Sequence, residues 1–383
     1  MIRPRGKELV VVIGSTGTGK SKLAIELLTS RFSSESFPLG GEIINGDSMQ
    51  VYKGLDVMTN KVRDIETRGI RHHLMSFLDI DQDYTVERFR TDATEKVREI
   101  HDKNLLPIIV GGTGYYIQNL VFPGRLVRDS ILAKSITGLT RAIDPKSTTE
   151  DLCLGLYEAL KVVDPIMAQR WHWRNLRKVR RSLEVIVCSG KRMSSLIDEQ
   201  DRRDESVDSG NEQIIPYRTL IFWLYSEPNQ LNQRLDSRVE KMLKEGLIEE
   251  VRDLKRRRFQ LVKNMDVDYS RGPYQAIGTS NLTFYNIEFE RIVSLETDNI
   301  QESEISTASD LTKLSTRQYA KAQVKWMKSK FLPELNRSMR SKELEGFKTA
   351  KDGDEVLIYL LDSSDLERWK SDVFEPAQKV LNS

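Results

Sequence analysis

Eight residues near the start of the chain have the types and spacing of a phosphate cradle. Gly14-Ser15-Thr16-Gly17-Thr18-Gly19-Lys20-Ser21 matches the P-loop pattern at every fixed position. Its glycines let the backbone curl so that successive N–H groups point at phosphate oxygens. The helix-like segment that follows would add partial positive charge at its N-terminus, and Lys20 adds a full one. The Ser21 hydroxyl can ligate Mg²⁺. Two more groups could do chemistry beside this loop. Asp47 stands in Asn45-Gly46-Asp47-Ser48-Met49-Gln50, and a carboxylate next to a phosphate site can take a proton from an attacking group. Thr113 follows Gly111-Gly112, and its hydroxyl can hydrogen-bond a phosphate oxygen. Each also fits a plainer role, Asp47 as a cap and Thr113 as a turn residue. A P-loop hydrolase usually ends a second strand in a carboxylate that helps to hold Mg²⁺. Here the best-placed strand, Ile108–Val110, runs into Gly111-Gly112-Thr113 instead. The loop therefore reads as a holder of a di- or triphosphate without the usual parts for hydrolysing it.

Positioning these residues requires alternating strands and helices. Leu9–Ile13 reads as a strand and Ser21–Leu28 as its helix. Glu42–Asn45 is a second short strand. Phe89, Ala93, Val97 and Ile100 have helical spacing within Glu87–His101. Leu105–Val110 is a buried strand. This repetition implies a parallel sheet with helices on both faces. Open sheets of that kind bind ligands beyond the carboxyl ends of their strands, which brings Asp47 and Thr113 to the crevice of Lys20. The expected fold class is α/β: a P-loop NTPase-like parallel sheet flanked by helices, with a helical insertion domain. Residues 8–122 and 213–366 form the expected catalytic core, and 123–212 the insertion. Leu176, Val179, Leu183 and Ile186 predict a helix there that Gly190 ends. Residues 234–258 look helical, 315–331 amphipathic, and 355–361 like a last strand. Residues 279–312 are poor in apolar side chains and expected to be partly disordered. Residues 367–383 read as a C-terminal tail.

Composition narrows the class. The chain has 383 residues, 39% hydrophobic and 30% charged, as in a water-soluble globular protein. No apolar stretch approaches the ~20 residues that span a membrane. The first seven residues are too few and too polar for a signal peptide. Two cysteines and four histidines make neither a disulfide framework nor a Cys₂His₂ site. The expected location is cytoplasmic, with mitochondrial or nuclear residence left open. Net charge is only +2, yet cations cluster at Arg174–Arg181, at Lys255–Arg258, and at Arg317, Lys321, Lys325 and Lys328. Solvated helix faces would explain any one of these alone.

Further blocks extend the pattern. Gly69-Ile70-Arg71-His72-His73-Leu74 lies between the two glycine loops, and the Arg-rich segment 177–184 before Ser189-Gly190-Lys191, Arg234–Val239, Gln275-Ala276-Ile277-Gly278, and Thr316-Arg317-Gln318-Tyr319-Ala320-Lys321 with Gln323 and Trp326 follow them in order. Together they resemble the tRNA dimethylallyltransferases (tRNA isopentenyltransferases), over about residues 8–366. The sequence is similar to the eukaryotic members, though it shows no Cys/His zinc finger of the kind many of them carry. Four departures stand out. Trp173-Arg174-Asn175 replaces the usual Pro-Asn-Asp, Arg71 a proline, Thr279-Ser280-Asn281 an aromatic-Lys-Glu, and Ala322 a common Arg.

The resemblance implies transfer of the dimethylallyl group of dimethylallyl diphosphate to N6 of the adenosine at position 37 of tRNA, just 3′ of the anticodon. Gly14–Ser21 would then hold the donor's diphosphate rather than ATP. Asp47 would take the N6 proton, Thr113 would contact the bridging oxygen, and Lys20 and Arg238 would neutralise the leaving diphosphate. Ser21 would ligate Mg²⁺. The implied partner is the tRNA anticodon stem-loop, met by Ser48, Met49, Gln50, Arg177, Arg181, Gln275, Arg317 and Lys321, with the protein acting as a monomer. Alternatives are an adenylate dimethylallyltransferase acting on AMP, ADP or ATP, a P-loop small-molecule kinase, and an RNA-binding protein without catalysis.

Overall fold

The apolar run at Leu9–Ile13 forms β1 (Glu8–Gly14), an inner strand of a six-stranded sheet. The computed structural model describes residues 8–30, 40–122, 149–205, 217–261, 302–336 and 356–382. The other strands are β2 (Gly41–Asn45), β3 (His72–His73), β4 (Leu106–Gly111), β5 (Arg218–Tyr225) and β6 (Val356–Asp362). Their spatial order is β3-β2-β4-β1-β5-β6, and every neighbouring pair is parallel. The α/β fold expected from the repeat is the one observed. Inner strands of a parallel sheet are covered on both faces and so read as nearly continuous apolar runs.

Successive side chains leave a strand on opposite faces. Leu9, Val11 and Ile13 join Ile109, Ile221 and Trp223 on one face, while Val10 and Val12 join Ile108, Val110, Phe222 and Leu224 on the other. Helix α1 (Lys20–Thr29) covers the second face with Leu23, Ala24 and Leu27. Helix α2 (Val86–Asp102) buries the expected Phe89, Ala93, Val97 and Ile100 on the first, beside α3 (Gly114–Val121). The α2 N-terminus is capped by the Thr85 hydroxyl, which accepts from Arg88 N–H at 3.2 Å.

A second compact unit spans residues 124–213. Its described part is helical: α4 (Thr149–Val163), α5 (Pro165–Arg170), α6 (Leu176–Ser189) and α7 (Met193–Glu205). Leu156, Leu160, Met167, Ala168, Val179 and Leu183 form its core. Fully buried Asp164 accepts from Met167 N–H at 3.2 Å and from Ser194 N–H at 3.0 Å, which ties the start of α5 to the start of α7. Gly190 closes α6 with φ 68°.

Beyond β5 come α8 (Pro228–Lys244), α9 (Leu247–Leu261) and α10 (Glu302–Trp326), whose final turns widen to π geometry over Met327–Phe331. Two expectations gain detail here. Residues 302–312, the end of a stretch expected to be partly disordered, open α10 and bury Ala308, Ser309 and Thr312. These side chains are small and mostly polar, so they read as surface although they allow close packing. The rest of that stretch lies outside the described residues. The supposed tail is also core: Trp369, Val373 and Ala377 lie against α1 and the sheet, ahead of and within α11 (Glu375–Asn382). Phe374, Val380 and Leu381 pack partly buried beside them, so the segment carries an amphipathic helical stripe that the sequence reading passed over.

Candidate active site

The glycine loop joins β1 to α1. Gly17 and Gly19 adopt φ 84° and 88°, a region open to glycine at little cost. A Cβ on Gly19 would also lie 2.6 Å from the ring of Trp369. That indole donates to Glu26 at 2.7 Å and lies under the Lys22 ammonium at 4.3 Å. The C-terminal segment thus forms a wall against the loop. Within the loop, Thr18 Oγ1 and Lys20 Nζ donate to Ser15 O at 2.9 and 2.7 Å.

Helix α8 supplies the opposite cation. Leu231, Leu235, Val239 and Met242 are its buried stripe, and Leu231 and Leu235 pack with Ala320 of α10. This seats Arg238 over the loop, where it donates to Thr16 Oγ1 at 2.7 Å. Burial pulls the Lys20 ammonium down from its ordinary 10.5 to about 8; Asp47 pushes it up and Arg238 pushes it down. Tyr319 is held above its ordinary value, first by burial and then by the Asp47 charge, with Arg238 opposing. Lys20, Asp47, Arg238 and Tyr319 therefore share one electrostatic environment.

Asp47 follows the end of β2. Buried Asn45 orients it: Asn45 Oδ1 accepts from Asp47 N–H at 3.0 Å, while Nδ2 donates to Asp47 O at 3.0 Å and to Leu74 O at 2.9 Å. Asp47 Oδ1 accepts from Met49 N–H at 2.8 Å, so one oxygen caps the turn. The turn does not use Oδ2. Thr113 cross-links the two strand-end loops, accepting from Ser48 N–H at 3.1 Å and donating to Ser48 Oγ at 3.3 Å. A cleft of about 670 Å³ is lined by Thr16, Gly17, Gly19, Lys20, Ser21, Asp47, Arg238 and Gln323, among others. It brings together the glycine loop, Lys20, Arg238 and the Asp47 carboxylate.

The expected RNA contacts fare differently. Met49 packs on the apolar cluster of Val51, Leu55 and Met58, and Gln50 Nε2 donates to Thr59 O at 3.0 Å. Both side chains thus brace the loop that follows Asp47. Arg317 pairs with Asp236 at 2.5 Å, whereas Lys321 is exposed on the same helix. Arg181 lies within 3.9 Å of Glu184 in the second unit. Arg177 falls on α6, and Gln275 lies outside the described residues. Sequence reasoning gave no roles to Asn45, Tyr319 and Gln323. All three stood in quoted motifs, but nothing in one dimension aims them at the cleft or at Asp47.

An IPP transferase family model matches residues 50–330. The chain belongs to the IPP transferase family. The chain is 36% identical over 382 residues to the tRNA dimethylallyltransferase of Schizosaccharomyces pombe, covering 98% of the chain and 78% of the relative. It is also 36% identical to the human tRNA dimethylallyltransferase, covering 98% and 74%. Among solved structures it resembles a eukaryotic dimethylallyltransferase acting on tRNA, with TM-score 0.72 and 30% identity over 98% of this chain and 79% of that one.

Proposed function

We propose that this IPP transferase moves the dimethylallyl group of dimethylallyl diphosphate onto N6 of adenosine 37 in tRNA. The observation that carries the reading is the cleft in which Lys20 and Arg238 face a glycine loop with Asp47 beside them. The C1–O bond of the donor breaks and its electron pair leaves with the diphosphate. The N6 lone pair forms the new C–N bond, and the N6 proton passes to Asp47. An allylic carbon departs readily when the charge on the leaving oxygen is neutralised, so most of the catalysis is electrostatic. Lys20, Arg238 and the loop amides supply that charge. Thr113, whose hydroxyl now donates to Ser48 beside Asp47, would turn that proton to the bridging oxygen.

Mg²⁺ fits the residues present. The cleft offers the Ser21 hydroxyl, and Mg²⁺ typically takes one or two protein oxygens and completes its shell with water and phosphate. Among the described residues no cluster of three His, Cys, Asp or Glu competes for it. When bound it would add positive charge to the leaving diphosphate. Action as a monomer is part of the same proposal. The names of the relatives favour tRNA over free adenylates or a kinase substrate. The test is nucleoside analysis of tRNA after incubation with dimethylallyl diphosphate and Mg²⁺. N6-isopentenyladenosine at position 37 is expected. Prenylated free nucleotide, ATP consumption or absence of product would overturn the proposal.

A further inference from the structure

Gln323 projects from α10 into the cleft and uses both ends of its amide. Its Oε1 accepts from Thr16 N–H at 2.8 Å, and its Nε2 donates to Gly112 O at 2.9 Å. It is buried, and its partners lie 307 and 211 residues away in sequence. Gly112 is shaped to this contact, since a Cβ there would lie 2.4 Å from Nε2. The links continue on both sides. Thr16 also holds Arg238, while Thr113, next to Gly112, is bonded to Ser48, next to Asp47.

We propose that Gln323 is a positioning residue that fixes the spacing between the diphosphate cradle and the Asp47–Thr113 wall. It takes an amide that a bare phosphate loop would offer to an anion, and in exchange ties that loop to the end of β4. One end of the tie lies in the loop that would hold the leaving group, and the other in the loop next to Thr113, which is bonded to Ser48 beside Asp47. Prenyl transfer needs the reacting carbon, the bridging oxygen and the N6 proton acceptor aligned to within a fraction of an ångström. A displacement of ~1 Å costs about 10²-fold in turnover without loss of binding. This role rests on the transfer reaction proposed above.

Gln323→Ala, Gly112→Ala and the double variant test it. The first removes the tie, and the second pushes the amide away from its partners. Each is expected to lower kcat about 10²-fold, with donor KM and tRNA affinity within about threefold of wild type. The double variant should match either single variant rather than their product, because both act through one contact. Hydrogen exchange of the Thr16 amide gives a readout independent of activity, and it should speed up in both single variants. Unchanged kcat with a still-protected Thr16 amide would overturn the proposal, as would additive losses. A parallel fall in kcat, melting temperature and tRNA affinity would reduce Gln323 to a folding role. Wild-type enzyme that makes no prenylated tRNA would sink the reaction itself, while amide exchange still judges the tie.

Discussion

Donor binding should weaken above pH 8, because Lys20 is the charge most exposed to loss. Its ammonium titrates at about 8 rather than 10.5, since burial removes its water and only Asp47 offsets this. A bound diphosphate stabilises the protonated form, so the free protein must take up a proton on binding once pH exceeds that value. With a free-protein value of about 8, only about a tenth of Lys20 is charged at pH 9, and the donor Kd rises about tenfold between pH 7 and 9. A lysine titrating at 10.5 would leave Kd nearly flat over that range. Titration calorimetry with an inert thio-analogue of the donor, in buffers of different ionisation enthalpy, reads both affinity and proton uptake. Phosphate esters lose their last proton near pH 6, so the ligand does not mask the effect. Arg238→Ala removes a neighbouring cation and should move the midpoint up, whereas Asp47→Asn removes the anion that supports the ammonium and should move it down. Lys20→Arg, charged throughout, should abolish the slope. Affinity that stays constant to pH 10, without proton uptake, would refute the argument.

Asp47→Asn should also lower kcat ~10²–10⁴-fold with tRNA affinity little changed, measured by single-turnover prenylation; an unaltered rate would remove Asp47 as the proton acceptor. Lys321→Ala should weaken tRNA binding and reduce the slope of log K against log salt by about one, because an exposed cation meeting a phosphate releases a counterion. Indifference in filter-binding titrations would leave this lysine as ordinary surface. Gly114→Ala places a Cβ 2.2 Å from the Trp326 ring and should destabilise the fold by about 1–3 kcal/mol through overpacking, read as a lower denaturant midpoint.

Much of the molecule was legible in one dimension because the relevant physics is local. Apolar runs such as Leu9–Ile13 can only be strands covered on both faces. The four-four-three spacing of Phe89, Ala93, Val97 and Ile100 dictates one buried helical stripe. The glycine loop declares its own turn and its anion site. By contrast, residues 302–312 bury side chains too small and polar to announce a core, and the stripe of Trp369, Val373, Ala377 and Val380 shows its burial only once α1 and the sheet lie against it. The partner of Arg317 is Asp236, at 81 positions' distance, and no sequence pattern marks that pair.

The order of residues determined the glycine loop, since its turn, lysine and hydroxyl are set within eight consecutive positions. The tertiary structure alone decided what faces that loop. Only when β2 and β4 lie side by side do Asp47 and Thr113 meet across Ser48, and only when α8 and α10 pack together do Arg238, Tyr319 and Gln323 converge on the loop. Charge and hydrogen bonding act over a few ångströms, and it is the packing of buried apolar faces that reduces hundreds of residues of separation to that distance.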